Sequence, residues 1–193
     1  GQYNRSEGAI IWICYVALMF IAMNIEYPKN VVRYIMYAMM PFVYINLIII
    51  TMNFYGNDLL QKEWLQKLVS IALPEGASIS ANSQLLGTLN QWNYMSGMFA
   101  MMTVMYLAFS ILSKNAVDTV LGLIVSIVAM AIVLMALSTN GFFTIVCIAP
   151  FIIWLSIKSG NIKKIFAILS IFVVFSGLSL HILASQNEKV WSE

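Results

Sequence analysis

The sequence predicts an all-α fold: a polytopic transmembrane helix bundle of about six transmembrane helices plus one external amphipathic interfacial helix. Three observations lead there. Hydrophobic residues make up 61% of the chain and charged residues only 9%, where a soluble domain carries about a quarter charged. The apolar residues gather in long, nearly charge-free runs, each near the roughly 20 residues that cross about 30 Å of hydrocarbon. Six of the ten basic residues fall in alternate short connections between those runs, the pattern that sets orientation in a membrane, while Arg5, Lys62, Lys67 and Lys189 on the other side are mostly diluted in longer segments.

The runs are 9 to 25, 31 to 54, 92 to 113, 117 to 137, 141 to 157 and 163 to 184. In hydrocarbon every backbone amide and carbonyl needs an internal partner, so each run reads as a helix. Pro41 and Pro150 lie inside the second and fifth runs, where they kink a helix that neighbouring helices can support. The first run is too long, and lacks the basic start and small-residue cleavage site, to be a signal peptide. The chain opens at Gly1 without a methionine and stops at Glu193 as a polar segment begins, and the expectation is a segment of a longer protein.

Lys29 and Arg33 flank the first connection, Lys114 the third, and Lys158, Lys163 and Lys164 the fifth. These connections are therefore expected in the cytoplasm, with both termini and the long connection 55 to 91 outside. Within that connection Asn57 and Asp58 suit a helix start, and Leu60, Trp64, Leu68, Ile71 and Ala72 recur at helical spacing opposite Gln61, Lys62, Glu63, Gln66 and Lys67. A helix of that pattern lies flat in the interface with Trp64 at headgroup depth, and Pro74 and Gly76 end it. Tyr27, Tyr55, Trp92, Tyr94, Trp154 and Trp191 fall near span ends as an aromatic belt.

Several function classes are disfavoured. A net charge of +2, spread over ten scattered Lys and Arg residues, gives no basic stripe, and nucleic acid is not an expected partner. Cys14 and Cys147 sit in apolar runs without pairing spacing. Asp118 and Arg33 lie near span ends, and no span centre carries an acidic residue, unlike ion-coupled carriers. His181, the single histidine, has no sequence-neighbouring Cys, Asp or Glu, so no metal is implied and no cofactor is expected. The 13 methionines read as flexible filler. Ser96 with Gly97, Gly122 with Ser126, and Ser176 with Gly177 offer small surfaces for close helix packing.

The most specific stretch is Leu86-Gly87-Thr88-Leu89-Asn90-Gln91-Trp92-Asn93-Tyr94-Met95-Ser96-Gly97, a turn leading straight into the third run. Asn90 and Asn93 bring amide donors and acceptors, and Trp92 and Tyr94 bring ring faces, a mixture that suits sugar hydroxyls and sugar faces. The same residues also suit an asparagine cap with an aromatic belt, which needs no ligand. The Gly-Thr-Leu, spacer, Asn-Tyr entry resembles that of the O-antigen ligase and O-antigen polymerase family. The lead-in Ala77 to Gln84, the basic turn at Lys114 and the polar turn Ser138-Thr139-Asn140-Gly141 fit the resemblance, which covers roughly 74 to 193. The family's Ser-Arg-Gly-like turn has no arginine counterpart here, and the large external loop that follows in the family would begin at Ser185 to Glu193, where this sequence stops.

The resemblance implies a bacterial membrane glycosyltransferase of lipopolysaccharide and polysaccharide biosynthesis, acting in the cell envelope at the outer face of the cytoplasmic membrane. A polyprenyl-diphosphate-linked glycan would be the donor, with membrane lipids around it. Asn90, Trp92, Asn93 and Tyr94 would be substrate-binding contacts, with the catalytic residues unknown and outside this segment, which alone would be inactive. The alternative is a segment of a polytopic transporter or lipid flippase, which a second copy of the helix pattern elsewhere would favour.

Overall fold

A computed structural model of the chain describes residues 9–57, 62, 67, 92–136, 138–158 and 162–186. The regular elements among them are all helices: α1 Ala9–Asn24, α2 Val31–Phe54, α3 Trp92–Leu112, α4 Ala116–Met135, α5 Thr139–Lys158 and α6 Ile162–Gln186. Four are long and apolar enough to cross a membrane, namely α2, α3, α4 and α6 over Ile162–Ser185. The protein is therefore an all-α, multi-pass membrane protein. The other two expected spans, α1 and α5, are helices that hold shorter apolar stretches, Ile13–Asn24 and Thr139–Trp154. The interfacial helix expected within 55 to 91 lies almost wholly outside the described residues, as do Asn90 and both termini.

Local chemistry sets the helix ends. α2 stops in a Schellman motif: Gly56 takes φ 78°, its amide donates to the Asn53 carbonyl at 2.9 Å, and the Asn57 amide reaches the Met52 carbonyl at 2.9 Å. Glycine adopts that left-handed geometry without a Cβ penalty. α4 starts one residue before the run read from sequence, because the Asn115 side chain accepts from the Val117 amide at 3.1 Å. α5 likewise starts two residues early at Thr139, where a neighbouring helix receives the Gly141 amide.

The chain divides into two compact units, Gly1–Ile35 and Met36–Glu193. The first holds α1 and the opening of α2. Ile13, Leu18, Phe20 and Met23 of α1 are exposed, and Asn24 and Tyr27 close the helix by donating to the Phe20 and Ala22 carbonyls, each at 2.8 Å.

In the second unit α3 is central, packing along α4 and α5, while α4 also packs on α6. Its buried polar residues Ser96, Thr103 and Ser110 recur every seven positions, the repeat that keeps one stripe on a neighbour in left-handed packing. Each hydroxyl is satisfied at once. Ser96 donates to the Ser138 carbonyl at 3.1 Å, Thr103 to the Phe99 carbonyl at 2.7 Å and Ser110 to the Thr119 carbonyl at 2.7 Å. From α4, Ser126 returns a bond to the Thr103 carbonyl at 2.9 Å. Glycine permits the approach: a Cβ on Gly122 would stand 3.1 Å from the Ser110 amide nitrogen and the Tyr106 carbonyl oxygen.

Met36, Val43 and Ile50 put α2 against this pair through a single buried stripe, again at intervals of seven. They join Phe99, Tyr106, Val125 and Ile132 in the larger apolar core. A smaller core unites Leu107, Ile111, Ile152, Ile165 and Ile168 from α3, α5 and α6. Outward faces are apolar, as at Phe143, Val146 and Phe166, which suits a lipid surround.

Candidate functional site

The bundle has two chemically distinct ends. At one, the start of α3 meets the turn between α4 and α5. The Ser138 hydroxyl donates to the Asn93 amide oxygen at 2.9 Å, joining the start of α3 to the connection between α4 and α5, 45 residues apart in sequence. Beneath them Ser96 is a buried junction, donating to the Ser138 carbonyl and accepting the Gly141 amide at 3.0 Å. A Cβ on Gly141 would stand 2.3 Å from the Ser96 hydroxyl oxygen and 2.9 Å from its carbonyl oxygen. Only glycine fits there.

The residues singled out in the sequence take different places around this junction. Asn93 is exposed apart from its bond to Ser138, and Asn140, two residues after Ser138, is exposed on the first turn of α5. Trp92 is half-buried and packs against the larger core, so its ring anchors α3. Tyr94 is 64% exposed and shares an outward stripe of α3 with Met101, Met105 and Leu112, which is the position of a belt aromatic. The structure thus brings Asn93 and Ser138 together and sets Tyr94 on the outward stripe; Asn90 lies outside the described residues. Gly97 and Gly177 have open space where a Cβ would go, so these two members of the small-residue pairs do not mark close packing.

At the other end, Asp118 is buried in the first turn of α4. Its carboxylate accepts from the Tyr37 hydroxyl of α2 and, at 3.5 Å, from the Ser113 hydroxyl. The Lys164 ammonium of α6 donates to the Ser113 carbonyl. This group of Tyr37, Asp118, Ser113 and Lys164 was not evident from spacing, because Tyr37 and Asp118 stand 81 residues apart and Ser113 and Lys164 51 apart, and only Asp118, an acid at a span end, carried a signal. A cavity of about 690 Å³ opens beside it, walled by Ser113, Lys114, Thr119 and Lys164 over Ile111 and Val120. A smaller one of about 200 Å³ lies between α2, α4 and α6 near Thr51, Met135 and Ser179.

Among the described residues no three His, Cys, Asp or Glu side chains gather in a way that could hold a metal ion. The Ser176 hydroxyl is the buried side-chain polar atom that lacks a partner among them. Cys14 and Cys147 are free thiols on exposed positions. No family model, curated protein or solved structure matches the chain. Fold and composition define its class, a multi-pass helical membrane protein.

Proposed function

We propose that this chain belongs to a bacterial membrane glycosyltransferase of the O-antigen ligase and polymerase type. In this reading the end carrying Asn93 and Ser138 faces outward from the cytoplasmic membrane and meets a polyprenyl-diphosphate-linked glycan. The observation that supports it is the Ser138 to Asn93 hydrogen bond. It brings together one residue from each of the two stretches on which the family resemblance rests, although they are remote in sequence. An amide whose oxygen is fixed by a hydroxyl has its nitrogen held in one direction, and a fixed donor orients a sugar hydroxyl at little entropic cost.

In such a reaction an acceptor oxygen attacks the anomeric carbon and the lipid diphosphate leaves. The protein then has to position the sugar and stabilise charge on the leaving group. Asn90, Trp92, Asn93 and Tyr94 serve positioning, as contacts for sugar, and none is a nucleophile. Charge stabilisation falls to basic groups supplied by other parts of the protein.

The test compares Asn93→Ala with Ser138→Ala in the full-length protein, measuring glycan transfer in membranes and melting temperature in detergent. Both variants delete the same internal hydrogen bond, but only the first removes the amide. Transfer should fall about tenfold for Asn93→Ala, the worth of one hydrogen bond, and by less for Ser138→Ala, which keeps the amide but frees its orientation, at equal stability. Equal behaviour of the two would leave Asn93 as a cap and overturn the assignment. Movement of the lipid-linked glycan without a new glycosidic bond would favour the transporter or flippase reading.

A further inference from the structure

The end of the bundle at Lys164 carries a device that does not depend on the sugar reading. Between Val31 and Asn57, and again between Trp92 and Gln186, the sequence holds a single acidic residue, Asp118, against Arg33, Lys114, Lys158, Lys163 and Lys164. Asp118 is 5% exposed. An acid buried in a spanning helix is costly, because a low dielectric penalises an uncompensated charge. Hydroxyls meet part of that cost, since Tyr37 and Ser113 both donate to the carboxylate.

Lys164 has the complementary problem. It stands in the first turn of α6, where the helix dipole disfavours a cation, and it is half-buried. That turn contains no acidic residue of its own. The Lys164 ammonium donates to the Ser113 carbonyl, and the Ser113 hydroxyl donates to Asp118 at 3.5 Å. One residue of the turn between α3 and α4 thus receives the cation on its backbone and offers its side chain to the anion. We propose that Asp118 and Lys164 form a charge-coupled lock, joined through Ser113, which holds the starts of α4 and α6 and, through Tyr37, the adjoining part of α2 closed at this end. Each charge offsets the burial cost of the other, so removing one leaves the other uncompensated. Release of the lock lets the start of α6 part from α3, exposing the small core of Ile111 and Ile165 beneath it.

The test reads that opening with a water-soluble maleimide on Ile165→Cys, a buried position beside Lys164. It uses the full-length protein in opened membrane vesicles, with Cys14 and Cys147 replaced by Ser. Asp118→Asn keeps an oxygen for Tyr37 and Ser113 and removes the charge; Lys164→Met keeps the stem and removes the charge. Each alone should speed labelling about tenfold, and the two together should return it to within about threefold of the parent, because a pair removed whole costs far less than a pair broken. Lys163→Met is the control, since Lys163 is exposed: it should change nothing alone and rescue nothing. Rescue of Asp118→Asn by Lys163→Met, Lys114→Met or Arg33→Met in place of Lys164→Met would overturn the pairing. Unchanged labelling in Asp118→Asn would overturn it too, leaving Asp118 as a hydrogen-bond acceptor only, as would a double variant that labels no more slowly than the single ones. If neither single variant folds, the double variant decides: its folding supports the lock, and failure of all three overturns it.

Discussion

The neighbours of α3 are held to it by two opposite means. Toward α4 and α5 the contact is made of Ser96, Thr103, Ser110, Gly122, Ser126 and Gly141, with short side chains bonded to the backbone across the interface. Toward α2 it is made by large side chains. Phe42 stacks on Phe99 with centroids 5.8 Å apart, and the buried Tyr106 hydroxyl spans the gap to the Met36 carbonyl at 2.6 Å. In lipid, apolar surface alone does not drive helices together, so close packing and hydrogen bonds must do it. The small-residue seam gains from intimate contact but tolerates no added atom. The aromatic seam reaches further and depends on a few long side chains.

The largest effect should come from crowding the first seam. Gly141→Val would drive Cβ against the Ser96 hydroxyl and carbonyl and its methyl groups beyond, forcing α5 away from α3. A loss of about 1–3 kcal/mol is expected from such overpacking, read as a lower melting temperature in detergent. Retention of wild-type stability would mean that α5 does not lie against Ser96.

Cutting the second seam should be milder. Tyr106→Phe keeps the ring and removes only the bond to Met36, leaving the carbonyl its helical partner, so about 1 kcal/mol is expected. A larger fall than that of Gly141→Val would reverse the ranking of the two seams. The smallest effect is predicted where glycine is not needed for packing. Gly97→Ala and Gly177→Ala meet nothing within 4 Å, and alanine is the better helix former by about 1 kcal/mol. Both should match wild type or exceed it.

The same contrast separates what was legible in the sequence from what was not. Helix positions followed from apolar run length, a one-dimensional property, and they match within two residues at each shared end. Ser96, Gly122 and Ser126 were recognisable as packing residues by size. Gly97 and Gly177 look identical to them in sequence but face open space, because the facing of a helix that is apolar all round is not encoded in its periodicity. Asn93 was legible as a polar group at a span start; its partner Ser138 was legible only as part of a polar turn. Their pairing is a property of the turn between α4 and α5 lying over α3. Tyr37 gave no signal at all, being one of nine tyrosines until Asp118 is seen beside it.

The Gly141 amide donates to the Ser96 hydroxyl, and that bond bears on how the protein is assembled in the membrane. A helix entering lipid alone leaves its first amides without partners. α5 also carries Pro150, which has no amide hydrogen to give its helix. A surface that receives its first turn therefore favours its insertion, and α3 presents that surface earlier in the chain. Synthesis in chain order delivers the acceptor before the donor, so the serine on α3 acts as a template for a helix that follows it by two crossings of the bilayer.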